Sequence, residues 1–177
     1  GSRPVADPLT VRDCCLVTDG GAAIVVTSAE RAATLRRPPV LVLGAADAHR
    51  HRHITGMGDL TRTAAAESGA RAFAEAGITP GDVDVAQLYD AFTITPILFL
   101  EDLGFCAKGE GGAFVDGGRI APGGDFPLNT NGGGLSYTHP GMYGLHAIVE
   151  AVRQLRGESG DRQVPGAQVA LAHGNGG

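Results

Sequence analysis

The chain has 177 residues, 43% hydrophobic and 19% charged, which suits one globular domain with a substantial core and excludes a disordered polymer. Its net charge of −5 gives no electrostatic basis for nucleic acid or an anionic membrane surface as partner, so any anionic ligand has to be held by local groups. With no run of about eighteen apolar residues and no signal-peptide pattern, the expectation is a cytoplasmic protein. Its three cysteines, Cys14, Cys15 and Cys106, read as reduced thiols, too few and scattered for a disulfide framework or a zinc site.

The turn signal Thr18-Asp19-Gly20-Gly21 introduces a strand-like segment, Ala22 to Thr27. Ser28 then has the chemistry of an N-cap, with Glu30 in the first turn of a short helix that Pro38 and Pro39 end. Val40 to Ala46 is a second apolar strand. Between Asp59 and Gly77 an alanine-rich stretch predicts a helix closed by Gly77. Residues 78–82 form a turn, and Val83 to Leu88 a third strand. Thr93 to Leu103 predicts a helix with Pro96 in its first turns, where a missing N–H is tolerated. Lys108 to Gly134 is a long glycine-rich stretch with weak strand signals at Ala113–Val115 and Phe126–Leu128, and a loop of that length in a domain points to function. Met142 to Leu155 has Leu145, Ile148, Val149, Val152 and Leu155 at helical spacing. Gln168 to Ala172 is a last apolar strand, leading into His173-Gly174-Asn175-Gly176-Gly177. Alternating strands and helices argue for an α/β layered domain, and the abrupt end after a buried strand suggests that one further strand is missing.

Tyr89-Asp90-Ala91-Phe92, then Asn129-Thr130-Asn131-Gly132-Gly133-Gly134 with Thr138-His139-Pro140-Gly141, then His173 to Gly177, stand in that order along the chain. Together they resemble the C-terminal half of thiolases, in the sterol-carrier and lipid-transfer branch. Asp13-Cys14-Cys15 and Asp19 to Ala23 resemble the start of that half. The resemblance implies that residues 1–177 are one C-terminal thiolase-like domain. Its fold would be an α/β half-fold, a mixed β-sheet with helices on both faces, half of a five-layered αβαβα arrangement and lacking its last strand. The N-terminal half, which carries the acylated nucleophile in true thiolases, would come from elsewhere, and the family is normally dimeric.

Cleavage of an acyl-CoA develops negative charge on the thioester oxygen, which preorganised donors must meet. His139, just ahead of Pro140-Gly141 and a helix N-terminus, is placed to be one donor. Tyr89 ends a strand, where the family helps form its oxyanion site, and a phenol there can donate a hydrogen bond or serve as acid or base. All three tyrosines fall within these motifs; Tyr137 is preferred as the second catalytic phenol because it lies in the loop, and Tyr143 reads as packing. Asn131, Gly133, Gly141, Asn175 and Gly176 would support the oxyanion loops. The plain alternatives, a histidine capping a loop and an aromatic packing at a strand end, stand beside these readings.

The departures from the family pattern shape the reaction. Neither the loop His173 to Gly177 nor the segment with Ala91 offers the second thiol that thiolases use, and Cys106 stands at neither position. Tyrosines in place of a thiol fit a retro-aldol cleavage. The chain resembles actinobacterial steroid side-chain-cleaving aldolases in Tyr-Asp-Ala-Phe and in Ser136 to Gly144. That resemblance implies a lyase acting on a steroid-like β-hydroxyacyl-CoA, with no cofactor beyond the coenzyme A of its substrate and with a small partner bearing an OB fold and a zinc ribbon. A Claisen-type acyl-CoA acetyltransferase and a non-catalytic lipid- or acyl-CoA-binding domain are the alternatives. The alternating His49, His51 and His53 read as polar surface rather than a metal site, and the clusters Gly109–Gly112 and Gly117–Gly124 lack the ending and context of a nucleotide loop.

Overall fold

The structure, a computed structural model, describes residues 1–176. A short antiparallel pair, β1 (Pro4–Ala6) and β2 (Leu9–Thr10), opens the chain. Ser28 caps α1 (Ala29–Ala33) by accepting from the Arg31 amide at 3.3 Å, as its residue type predicts. The alanine-rich stretch forms α2 (Ala65–Ala76), and Gly77 ends it at φ 68°, a left-handed conformation that glycine adopts without penalty.

The parallel pair β3 (Val85–Gln87) and β4 (Ala170–Ala172) forms the centre, in the register Val85↔Ala170, Ala86↔Leu171, Gln87↔Ala172. On the other side of β3, Ala86 bridges Leu128 in parallel, through Ala86 N to Pro127 O (3.2 Å) and Asn129 N to Ala86 O (2.9 Å). The carboxyl ends of three parallel segments therefore come together, and Tyr89, Asn129 and His173 follow them. Such ends are where open α/β sheets bind ligands.

Thr93 to Leu103 forms α3 (Ile94–Asp102), and the periodic stretch near the end forms α6 (Gly144–Leu155), which packs on β3 and β4. Between them lie α4 (Gly111–Val115) and the single turn α5 (Gly133–Ser136). The weak strand signal at Ala113–Val115 is corrected here. The Glu101 carboxylate accepts from the Gly111 amide at 3.0 Å and Phe114 N bonds Glu110 O at 2.8 Å, so a helical turn forms and carries Phe114 into the core. Phe73, Val83, Ala86, Leu88, Phe99, Leu100, Leu103, Phe114 and Phe126 make that core, and Phe105 joins it edge-on to Phe73 and 4.7 Å from Phe126 between ring centres.

Two predicted strands do not form. Ala22 to Thr27 and Val40 to Ala46 run without ladder hydrogen bonds among the described residues. The second lies along α2: Gly44 is so close to Ala72 and Ala76 that a side chain there would strike the Ala72 carbonyl, and the Ala45 amide donates to Glu75 at 2.9 Å. Val25 is 92% exposed and Val42 75%. A strand needs a neighbour's N–H and C=O groups, and none stands beside these segments among the described residues. No helix among the described residues is long and apolar enough to cross a membrane.

Candidate active site

Three rings gather at the carboxyl end of β3. Tyr89, 8% exposed, meets His139 edge to face, with ring centres 5.1 Å apart and planes at 81°. Tyr143, fully buried, lies nearly parallel to His139 at 6.3 Å and edge-on to Tyr89 at 6.2 Å. The Tyr143 hydroxyl donates to Asn131 Oδ1 at 3.0 Å, and the same oxygen accepts from the Gly133 amide at 2.9 Å. Tyr143 is the cap residue of α6, because that helix begins at Gly144 rather than Met142, and so it faces the site instead of a helix face. His139 is held by its backbone: its N–H donates to Thr18 Oγ1 at 2.9 Å, and that hydroxyl shares a 2.8 Å hydrogen bond with Thr138. Nε2 of His139 is buried and has no partner among the described residues. A buried polar atom left so costs about 1–3 kcal/mol, which a ligand oxygen or hydroxyl would relieve.

Beneath these rings sits Asp90, 2% exposed. Its carboxylate accepts from the amides of Gly134 (2.6 Å) and Leu135 (3.3 Å). Gly133, at φ 63°, packs so tightly on it that a Cβ would overlap the carboxylate, and a Cβ on Gly134 would stand 2.7 Å from the His139 ring. The run Gly132-Gly133-Gly134 is thus a backbone sleeve around one acid rather than a phosphate cradle. Burial pushes the Asp90 carboxyl above its usual range, while the Gly134 and Leu135 amides pull it back down.

Cys15 approaches from the opposite end of the chain: its amide donates to Ala91 O at 2.8 Å, and Leu16 N donates to Gly134 O at 3.0 Å. No local pattern marks this thiol as part of the site, because the contact spans more than seventy residues. Cys15 lies within electrostatic reach of both Tyr89 and Asp90. Burial raises its pKa first, with Cys14 and Asp90 adding in the same direction, so it stays a thiol at neutral pH. Burial likewise raises the Tyr89 phenol, and negative charge on Cys15 or Asp90 pushes it further the same way. Tyr143 is raised too, again chiefly by burial. Both phenols are therefore kept protonated, as donors.

Tyr137 stands apart from the Tyr89–His139 pair. It is 54% exposed, its ring is 6.3 Å from His146, and with Asn131, Glu150, Arg153 and Arg162 it lines a cavity of about 170 Å³. Gly141 takes φ 80° with open space around it, so its backbone shape alone sets that turn. Asn175 and Gly176 are exposed and make no hydrogen bond among the described residues; their loop reaches the site region through Gly174, which packs on Gly144. Gly177 of that motif lies outside the described residues. His51 lines a separate cavity of about 480 Å³ with Arg50, Asp59 and Arg62.

A family model described as thiolase C-terminal domain-like matches residues 46–177. The chain is 42% identical to an acetyl-CoA acetyltransferase of Methanothermobacter thermautotrophicus, over 99% of this chain and 46% of that protein. It is 41% identical to a 17-hydroxy-3-oxo-4-pregnene-20-carboxyl-CoA lyase of Mycobacterium tuberculosis, over 89% of this chain and 42% of that one. A solved Ltp2-ChsH2(DUF35) aldolase superposes with a TM-score of 0.89 at 37% identity, over 98% of this chain and 46% of that chain. The chain spans about half the length of the curated relatives it matches.

Proposed function

The chain belongs to the thiolase C-terminal domain-like family, and on that premise we propose that it is the C-terminal half of an acyl-CoA carbon–carbon lyase, a retro-aldolase that removes the side chain of a steroid-like β-hydroxyacyl-CoA. The observation that carries the proposal is the Tyr89–His139 pair: a protonated phenol edge-on to an imidazole whose buried Nε2 lacks a partner, with the neighbouring sulfur held as an unreactive thiol. In the reaction the β-hydroxyl loses its proton, the Cα–Cβ bond breaks, and its electron pair becomes a thioester enolate while the β-carbon becomes a carbonyl. His139 meets the thioester oxygen. Tyr89, kept protonated by burial, donates to the enolate carbon and regains a proton from solvent, while the exposed Tyr137 relays the hydroxyl proton, its oxygen taking that proton as its own O–H proton passes to solvent. No cofactor is needed beyond the coenzyme A of the substrate. An N-terminal thiolase half would complete the fold, a second copy would complete a dimer, and a small protein with an OB fold and a zinc ribbon would be the partner. The two-protein name of the solved aldolase supports a second protein as partner. The work would take place in the cytoplasm.

In the complete protein with its partner, Tyr89→Phe is expected to lower the rate of cleavage by about 10²–10⁴-fold, the usual contribution of a general acid, with the fold kept. Wild-type turnover in that variant would remove the proposal. Claisen thiolysis is the second reading, favoured by Cys15 beside Tyr89 and by the similarity to the acetyltransferase. CoA-dependent thiolysis that disappears in Cys15→Ser would establish it instead.

A further inference from the structure

We propose that Glu150 is a positioning residue for this site, acting through Thr130, Asn131 and Tyr143; the proposal deepens the reading above and rests on it. Glu150 lies on α6, 3% exposed, and lines the same cavity as Tyr137. Its Oε1 accepts from Thr130 Oγ1 at 2.8 Å and from Gln154 Nε2 at 3.2 Å, and its Oε2 pairs with Arg162 at 3.2 Å.

The Thr130 hydroxyl is the hub. It accepts from Gln87 Nε2 and from Gln154 Nε2, each at 3.0 Å, with Gln154 dividing its two N–H groups among Thr130, Glu150 and Arg162 O (2.8 Å). Its own proton goes to Glu150. Gln87 belongs to β3, two residues before Tyr89. Glu150 and Gln154 belong to α6, whose cap is Tyr143. Thr130 immediately precedes Asn131, whose side-chain oxygen holds the Tyr143 hydroxyl. One hydroxyl thus braces the strand that carries Tyr89, the loop that carries Asn131 and the helix that follows Tyr143.

Only a carboxylate suits the position. Thr130, Gln154 and Arg162 all arrive as donors, and a carboxylate is an acceptor at both oxygens. Glutamine would turn an N–H₂ toward either Thr130 or Arg162 and break one arm. The brace then loosens Asn131, and Tyr143 loses the geometry that stacks it on His139.

The test uses the complete protein with its partner, carrying Glu150→Gln, Thr130→Val or the conservative Thr130→Ser. Ring-labelled tyrosine is read by NMR, with the Tyr143 signal identified by its loss in Tyr143→Phe, alongside kcat and KM on the acyl-CoA. The Tyr143 signal should move in Glu150→Gln and Thr130→Val and return in Thr130→Ser. In the first two, kcat should fall about tenfold with KM within about twofold, the pattern of lost transition-state alignment. A Tyr143 signal unmoved in both variants, or a moved signal with unchanged kcat, overturns the proposal. If Glu150→Gln fails to fold, the two Thr130 variants decide alone. If the wild type does not cleave the acyl-CoA, the lyase reading falls, while the Tyr143 signal still decides whether Glu150 positions it.

Discussion

Val83 to Leu88 and Ala22 to Thr27 are apolar runs of similar length and similar predicted fate, yet only the first becomes a strand between two neighbours. Val85 and Ala86 are fully buried, paired to Ala170 and Leu171 on one side and bridged to Leu128 on the other, while Val25 and Val26 are 92% and 76% exposed. The difference lies in what stands alongside, since an apolar run specifies that a segment is to be covered and says nothing of what covers it. The paired region carries Tyr89, Asn129 and His173 at its end, so the paired half of the comparison is also the half that carries the candidate site.

The largest effect that separates the two regions comes from the core beneath the site. Leu100 of α3 is fully buried, and Leu100→Ala is expected to cost about 2–5 kcal/mol through lost transfer energy and the cavity left behind. Urea unfolding followed by circular dichroism measures it. A loss under about 1 kcal/mol would mean that the paired region is packed no better than the exposed one.

Next comes pH. His173 follows β4, its ring 4.3 Å from Phe99 between centres and its Nδ1 buried without a partner among the described residues. Burial lowers its pKa from 6.5 to about 4. The folded form therefore binds its proton later than the unfolded chain does. The stability involved is fully present above pH 6.5 and is lost as pH falls from there toward 4, by at most about 3 kcal/mol. His173→Phe should flatten that part of a stability-versus-pH curve; an unchanged slope between pH 6.5 and 4 would show that other groups set it.

Tyr89 and His139 were legible because each sits in a short motif whose neighbours fix its place, at a strand end and before a helix. Tyr143 packs in the core as its place near a helix suggests, fully buried, but because the helix starts at Gly144 it does so from the cap, facing His139. Asp90 and its glycine sleeve are more than forty residues apart, and Cys15 reaches Ala91 across a still longer gap. Such contacts leave no trace in periodicity or composition. Glu150 was hidden for a related reason: on a helix with a clear apolar stripe a single acid reads as solvated surface, and only its three converging donors reveal a buried carboxylate.

The smallest expected effect falls on the unpaired segments and bears most directly on what they are for. Val25→Ser and Val42→Ser should each change the unfolding free energy of this chain by less than about 0.5 kcal/mol, because side chains 92% and 75% exposed lose almost no buried area. A buried valine in the paired region, such as Val85, would lose the transfer energy of a full side chain, about 1.5 kcal/mol or more, in the same substitution. Thermal or urea unfolding of the three variants side by side checks the contrast. Should Val25→Ser cost as much as Val85→Ser, Ala22 to Thr27 is covered within this chain after all, and the two runs differ in nothing but their hydrogen bonds. Should it cost little in this chain and much in the complete protein, the cover comes from the remainder of that protein or from a partner, and the exposed valines mark where it lies.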